Sequence, residues 1–192
     1  MKIFKNFASL NFRRVFSLMV RQNFAKECED ALNKQINLEM NAFYRYLAMA
    51  FHFNRSDVAS AGAFRFFKTA SDEEHQHAVT IMDYMNKRGG DIKLMPIESP
   101  KQTYESIKEA MVEALNMEKS VNTALLEAHA IASKNNDPNM CGFLESNFLQ
   151  EQVDGIKQLA DYITQIETSE CELSSYLFDK HLLNEGPSMH KK

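Results

Sequence analysis

Ala70-Ser71-Asp72-Glu73-Glu74-His75-Gln76-His77-Ala78 lies in the middle of a long amphipathic segment, and its phasing decides the fold. The apolar stripe through it runs Phe67, Ala70, Glu74, His77, Ile81 and Tyr84, spaced alternately by three and four residues. That spacing predicts a helix with Glu74 and His77 one turn apart on its inward face. A buried, unpaired carboxylate is strongly destabilising, so an acid on such a face needs a partner or a cation.

Three other segments carry a polar group at the same place on the stripe. The first runs Leu32, Ile36, Glu39, Phe43, Tyr46, Ala50, Phe53, with Glu39 as its single acid. The third runs Met111, Leu115, Glu118, Asn122, Leu125, His129, with Glu118 central. The fourth, Phe148, Gln152, Gly155, Leu159, Tyr162, carries Gln152. One interrupted stripe is ordinarily structural. Four, each broken near mid-helix, predict an all-α four-helix bundle with these groups meeting at one depth.

Punctuation sets the boundaries. The helices are predicted over about Lys26–Phe53, Ser60–Lys87, Tyr104–Ser133 and Pro138–Glu167. Asn54-Arg55-Ser56-Asp57 favours a turn, which makes the first two helices an antiparallel hairpin. Gly89-Gly90 stops the second helix. From Gly90 to Thr103 the chain has Pro96, Pro100 and no periodicity, and reads as a long crossover between the second and third helices. Pro138 suits a first helical turn. A short fifth helix, Leu173–Leu183, puts Leu173, Leu177 and His181 on one face and is too apolar to lie free in water.

Composition narrows the class. A chain of 192 residues with 44% hydrophobic content can bury a single core. The net charge of −4, with no basic patch interleaved with aromatics in the body, excludes a general nucleic-acid binder. Cys28, Cys141 and Cys171 form no close pair, which argues for a reducing compartment. No stretch reaches the roughly 18 apolar residues needed to span a bilayer.

Residues 1–18 differ from the rest. Lys2, Lys5, Arg13 and Arg14 stand with no acid before Glu27, so residues 19–192 carry −8 of the overall −4. Phe4, Phe7, Leu10, Val15 and Phe16 add a rough apolar face. This is the composition of a mitochondrial transit peptide ahead of one domain spanning 19–192. The competing reading is an upstream extension before a start at Met19, with a cytoplasmic product.

Carboxylates and one imidazole converging inside a bundle suit iron or manganese better than zinc, which favours cysteine or several histidines. A metal-free hydrogen-bond network would leave three carboxylates repelling one another. Glu74-x-x-His77 occurs once, because the fourth helix offers Gln152-Val153-Asp154-Gly155 instead.

Six motifs, in order, resemble ferritin of the catalytic heavy-chain type. They are Gln35-Ile36-Asn37-Leu38-Glu39, Asp72 to Ala78, Asn86-Lys87-Arg88-Gly89-Gly90, Asn136-Asp137-Pro138, Leu149-Gln150-Glu151-Gln152-Val153 and Tyr176-Leu177-Phe178-Asp179-Lys180-His181. The resemblance covers about Val20 to Leu183, and its finer likeness is to arthropod-like heavy chains with a mitochondrial leader. It implies a ferritin-like bundle whose long crossover joins the second and third helices. It also implies ferroxidase chemistry: two Fe(II) oxidised by dioxygen at a di-iron site, then hydrolysis and storage as ferric mineral. By resemblance, Glu39, Glu74 and His77 hold the first iron, and Glu118, with Glu74 bridging, holds the second. Gln152 positions oxygen, Glu73 is an auxiliary acid on the inward exit side, and Tyr46 stands beside the irons. The absent second histidine implies a loosely held second iron.

The same resemblance implies a hollow homo-oligomer of twenty-four subunits, alone or mixed with other ferritin chains. Threefold channels match His129 and Glu145, beside Cys141. Gly142 stands where the family usually has an aspartate, and Gln76 and Val79 stand at positions often acidic. Leu173, Leu177 and His181 match residues around the fourfold axis. Two other readings compete. A light-chain-like storage subunit would lack the intact ligand set. A different di-iron oxidoreductase, rubrerythrin-like, would call for a second Glu-x-x-His and a Cys-x-x-Cys module. His75, off the stripe, reads as solvent-exposed.

Overall fold

The computed structural model of the chain describes residues 20–168 and 172–184; the leader assigned to residues 1–18 lies outside them. Six α-helices account for the architecture. They are α1 (Lys26–Phe53), α2 (Ala61–Arg88), α3 (Ile107–Lys134), α4 (Pro138–Leu144), α5 (Gln150–Glu167) and α6 (Glu172–Asn184). A π-helical turn, Glu145–Leu149, joins α4 to α5, so the two form the single fourth rod of a four-helix bundle. α1 packs along α2, and α3 packs along both α1 and the fourth rod.

Local chemistry explains most of the ends. α2 stops at Gly89, whose φ of 71° is left-handed, a conformation that glycine adopts without strain. The third helix starts at Ile107, not near Tyr104, because Ser106 caps it by accepting the Glu109 amide at 3.1 Å. Asp137 accepts the Met140 amide at 3.0 Å with Pro138 in the first turn of α4. The same carboxylate takes Arg88 Nη2 at 2.7 Å, which ties the end of α2 to the start of the fourth rod.

The break in the fourth rod is absent from the sequence prediction and has a physical reason. Met140, Leu144, Phe148 and Gln152 are all buried, each four residues after the last. In a regular α-helix such a series drifts by about 40° per step. The wider π turn takes up part of that drift, so both Leu144 and Gln152 reach the interior. The stripe of α3 also differs from its prediction. Met111, Ala114, Glu118, Val121, Leu125 and Ala128 are buried, while Leu115, Asn122 and His129 flank the face half-buried.

The apolar core falls into two parts. One gathers Ala42, Tyr46, Phe53, Phe67, Met111, Leu159 and Tyr162, with Phe178 and Leu182 from α6. The other gathers Phe24, Leu32, Ile36, Ile81, Met85, Leu125, Leu144 and Phe148. Each large side chain buried there contributes about 1.5–3 kcal/mol. Between the two parts, at mid-helix, lie Glu39, Glu74, Glu118 and Gln152, all buried.

The short helix docks on its own bundle by one face and leaves another open. Phe178 and Leu182 enter the core, whereas Leu173, Tyr176 and Leu177 are exposed, at 63%, 58% and 57%. Ser60, at the start of α2, makes no side-chain cap. Asp179 of α6 supplies it instead, accepting the Ala63 amide at 2.9 Å. The close approach requires a glycine, since a Cβ on Gly62 would stand 1.9 Å from the Asp179 carbonyl oxygen. Gly62→Ala is therefore expected to lift α6 from the bundle while leaving the other helices formed. A lower thermal midpoint and faster proteolysis within 172–184 would register the change; an unchanged digestion pattern would contradict it.

Candidate functional site

The layer that divides the core is built from all four rods. Glu39 and Tyr46 come from α1, Glu73, Glu74 and His77 from α2, Glu118 from α3, and Glu151 and Gln152 from α5. Helical phasing places them together because residues three or four apart share a face. Glu39, Glu74 and His77 each offer a ligand atom, and these atoms all lie within 4.8 Å of one another. The two carboxylates are almost completely buried; the imidazole is 14% exposed.

Glu118 faces the same space and is held at both oxygens. Tyr46 donates its hydroxyl to Oε1 at 2.5 Å, and Gln152 Nε2 donates to Oε2 at 2.8 Å. The predicted partner set is therefore gathered in one layer. Glu73 stands half-buried at its edge. It shares with Gln76, His77, Thr80, Phe148 and Glu151 a groove of about 640 Å³ that leads outward from the imidazole.

Two contacts of the site's side chains were not foreseen. Glu151 Oε2 lies 3.2 Å from His77 Nε2, while His77 Nδ1 lies 3.4 Å from Glu74 Oε2. Glu151 stood inside a quoted motif, but its contact with His77 depends on how two rods face each other. Gln35, one turn before Glu39, donates from Nε2 to Glu39 Oε1 at 2.7 Å. Its spacing of four from Glu39 was the available signal.

The electrostatics follow from crowding. Burial, then the neighbouring Glu74 charge, raises the Glu39 pKa well above the carboxylate range. Glu74 is raised by burial and by Glu118, although His77 pulls it back. Burial also raises Glu118, against the opposing hydrogen bonds from Tyr46 and Gln152. Tyr46 is held well above its usual value by burial and by the Glu118 charge. Burial works against a charged His77, but its bonds to Glu151 and Glu74 outweigh that and push its pKa up to about 11. Three acids close together in a dry layer are poorly compensated by protein alone.

The donor set fits a hard or borderline divalent cation. Glu39 Oε2 and Gln152 Oε1 are buried and accept no hydrogen bond, so each leaves an acceptor for an ion or a small oxygen species. Oxygen donors and one imidazole nitrogen match first-row divalent metals, iron among them.

A second cluster lies at the junction of α3 and α4. His129 Nε2 is 2.7 Å from Glu145 Oε1, and the Cys141 thiol points to the His129 carbonyl oxygen at 3.9 Å. Gly142 beside them faces open space, with nothing within 4 Å of where a Cβ would stand. His75 is exposed and lies against the Phe43 ring, its centroid 5.4 Å away.

Comparison with known proteins agrees with this geometry. The ferritin-like domain family matches residues 29–169. Ferritin-2 heavy chain of Schistosoma mansoni is 49% identical over 170 residues, covering 88% of this chain and 99% of that protein. Ferritin heavy chain of Echinococcus granulosus is 48% identical over 169 residues, covering 88% and 98%. Ferritin middle subunit of Salmo salar is 47% identical over 168 residues, covering 85% and 96%.

Proposed function

The chain belongs to the ferritin family, and from that premise we propose that the buried layer of its bundle is the ferroxidase site of a heavy-chain-type subunit. As a member it stores iron, and oxidises Fe(II) with dioxygen. Iron is the substrate here, and the chain's own residues bind it, order it and let it go. Glu39, Glu74 and His77 receive one ion, and Glu118, with Glu74 between, receives the other. Gln152 holds Glu118 by its amide and leaves Oε1 free beside it. Tyr46 fixes the remaining oxygen of Glu118 and keeps its own proton. Glu73 and Glu151 line the way out of the site.

The observation that carries this reading is the approach of Glu39, Glu74 and His77 ligand atoms to within 4.8 Å inside a dry layer. A subunit used for storage alone has no need of three acids in positions that oppose their burial. The unequal sides of the layer, with a histidine for one ion and a glutamine near the other, favour release of the product over retention. Aerobic Fe(II) addition to wild type and to Glu74→Ala/His77→Ala is expected to show oxidation slowed by at least an order of magnitude in the variant. Equal initial rates would sink the assignment.

We further read the His129–Glu145 cluster as part of an entry channel in a shell of twenty-four copies. The exposed Leu173, Tyr176 and Leu177 support burial between copies, since free monomers rarely display such a patch. With Gly142 the channel lacks one carboxylate per subunit, which weakens its attraction for cations. Gly142→Asp is sterically free and is expected to raise the initial oxidation rate, most at low salt and less as salt screens the added charge. No gain at low salt would contradict the channel reading, and a particle of only a few subunits would contradict the shell.

Residues 1–18 are proposed as a mitochondrial leader ahead of a domain spanning 19–192, on the strength of their basic, acid-free composition. Fused to a reporter, the leader is expected to direct import with cleavage near residue 19. A reporter left uncleaved in the cytosol would favour the cytoplasmic alternative.

A further inference from the structure

Gln35 belongs to a quoted motif yet has no part in the chemistry so far. It is 1% exposed, deep in α1, one turn before Glu39. Its Nε2 donates to Glu39 Oε1 at 2.7 Å, while its own Oε1 is buried and accepts no hydrogen bond. A buried amide with an unmet acceptor is an unfavourable choice for a core position, where methionine or leucine would fill similar space without a polar atom to satisfy. Its one direct hydrogen bond to a polar side chain is to Glu39. Facing a metal, the Glu39 carboxylate can only accept, which sets the amide with its nitrogen toward it.

We propose that Gln35 is a positioning residue that makes Glu39 a one-oxygen ligand. The amide occupies Oε1 and aligns the carboxylate plane, so Oε2, which accepts nothing from the protein, is the oxygen presented to an ion beside Glu74 and His77. Glu118 contrasts with it, since both its oxygens carry a protein donor. Gln35 thereby fixes the direction of one ligand of the first ion before that ion arrives, which limits the reordering that binding requires. This role rests on the ferroxidase reading of the layer.

The test is anaerobic Co(II) titration of the purified full-length protein, followed through the visible d–d bands, whose shape reports coordination geometry. Gln35→Met keeps the length and removes the donor, and Gln35→Leu serves should the first variant fail to assemble. Either variant is expected to bind the first Co(II) about tenfold more weakly, with an altered band envelope. The thermal midpoint should change little, because the orphaned Gln35 Oε1 is removed while Glu39 Oε1 loses its donor. Binding curves and bands that superimpose on wild type would overturn the role, as would a loss of binding that merely follows a fall in the thermal midpoint. Glu39→Ala separates the two levels. If it abolishes first-ion binding while Gln35→Met does not weaken it, Gln35 alone is misassigned. If Glu39→Ala binds Co(II) like wild type, the site reading fails and the positioning role with it.

Discussion

Three carboxylates share one dry layer between two halves of an apolar core, and the rest of the molecule is arranged around that conflict. Glu39, Glu74 and Glu118 come from three different rods, so relaxing their repulsion would mean spreading the bundle. The apolar clusters on either side hold the rods together and keep the acids close. Burial and mutual repulsion push the carboxylate pKa values up, and the acids around His77 push its own up as well. A divalent cation at the proposed site would compensate the acids more completely. The site is thus a place where the metal-free fold carries tension that ion binding removes.

The groups surrounding the acids divide into those that fix a ligand and those that stay adaptable. Tyr46 and Gln152 lock Glu118 through both oxygens, and Gln35 engages Glu39 through one. His77 is different, because its partners Glu74 and Glu151 lie on two rods and it borders the outward groove. A half-buried histidine between an inner and an outer carboxylate is suited to an ion that passes through. The rigid side of the layer and the open side would suit opposite needs in the proposed site, capture in a defined geometry and escape of product.

Much of this was legible because helices convert spacing into depth. Four polar interruptions of four stripes put Glu39, Glu74, Glu118 and Gln152 in one plane before any coordinate was known. Gly89, Pro138 and the turn at 54–57 set most boundaries for equally local reasons. What escaped depends on how rods face each other. The Glu151–His77 contact requires the rotation of α5 against α2, and that rotation depends on the π turn at 145–149, which no single residue type signals. Which face of α6 meets its own bundle was left open for a related reason. Leu173, Leu177 and His181 form a periodic stripe, but the docking face was chosen by Phe178, Leu182 and the Asp179 bond to a helix start over a hundred positions upstream.

That remote bond suggests why the ends of the bundle are tied so firmly. A core interrupted at its centre loses packing where a four-helix bundle ordinarily has most. Compensation has to come from the two extremities, and both show it. At one end Asp179 caps α2 and draws Phe178 and Leu182 into the core; at the other Arg88 joins Asp137 and stacks over Phe24. These ties leave α6 with a second apolar face, Leu173, Tyr176 and Leu177, that stays exposed among the described residues. Contacts between copies, as proposed above, would cover that face. The acid layer proposed as the reactive site thus goes with a stability held toward the ends of the bundle.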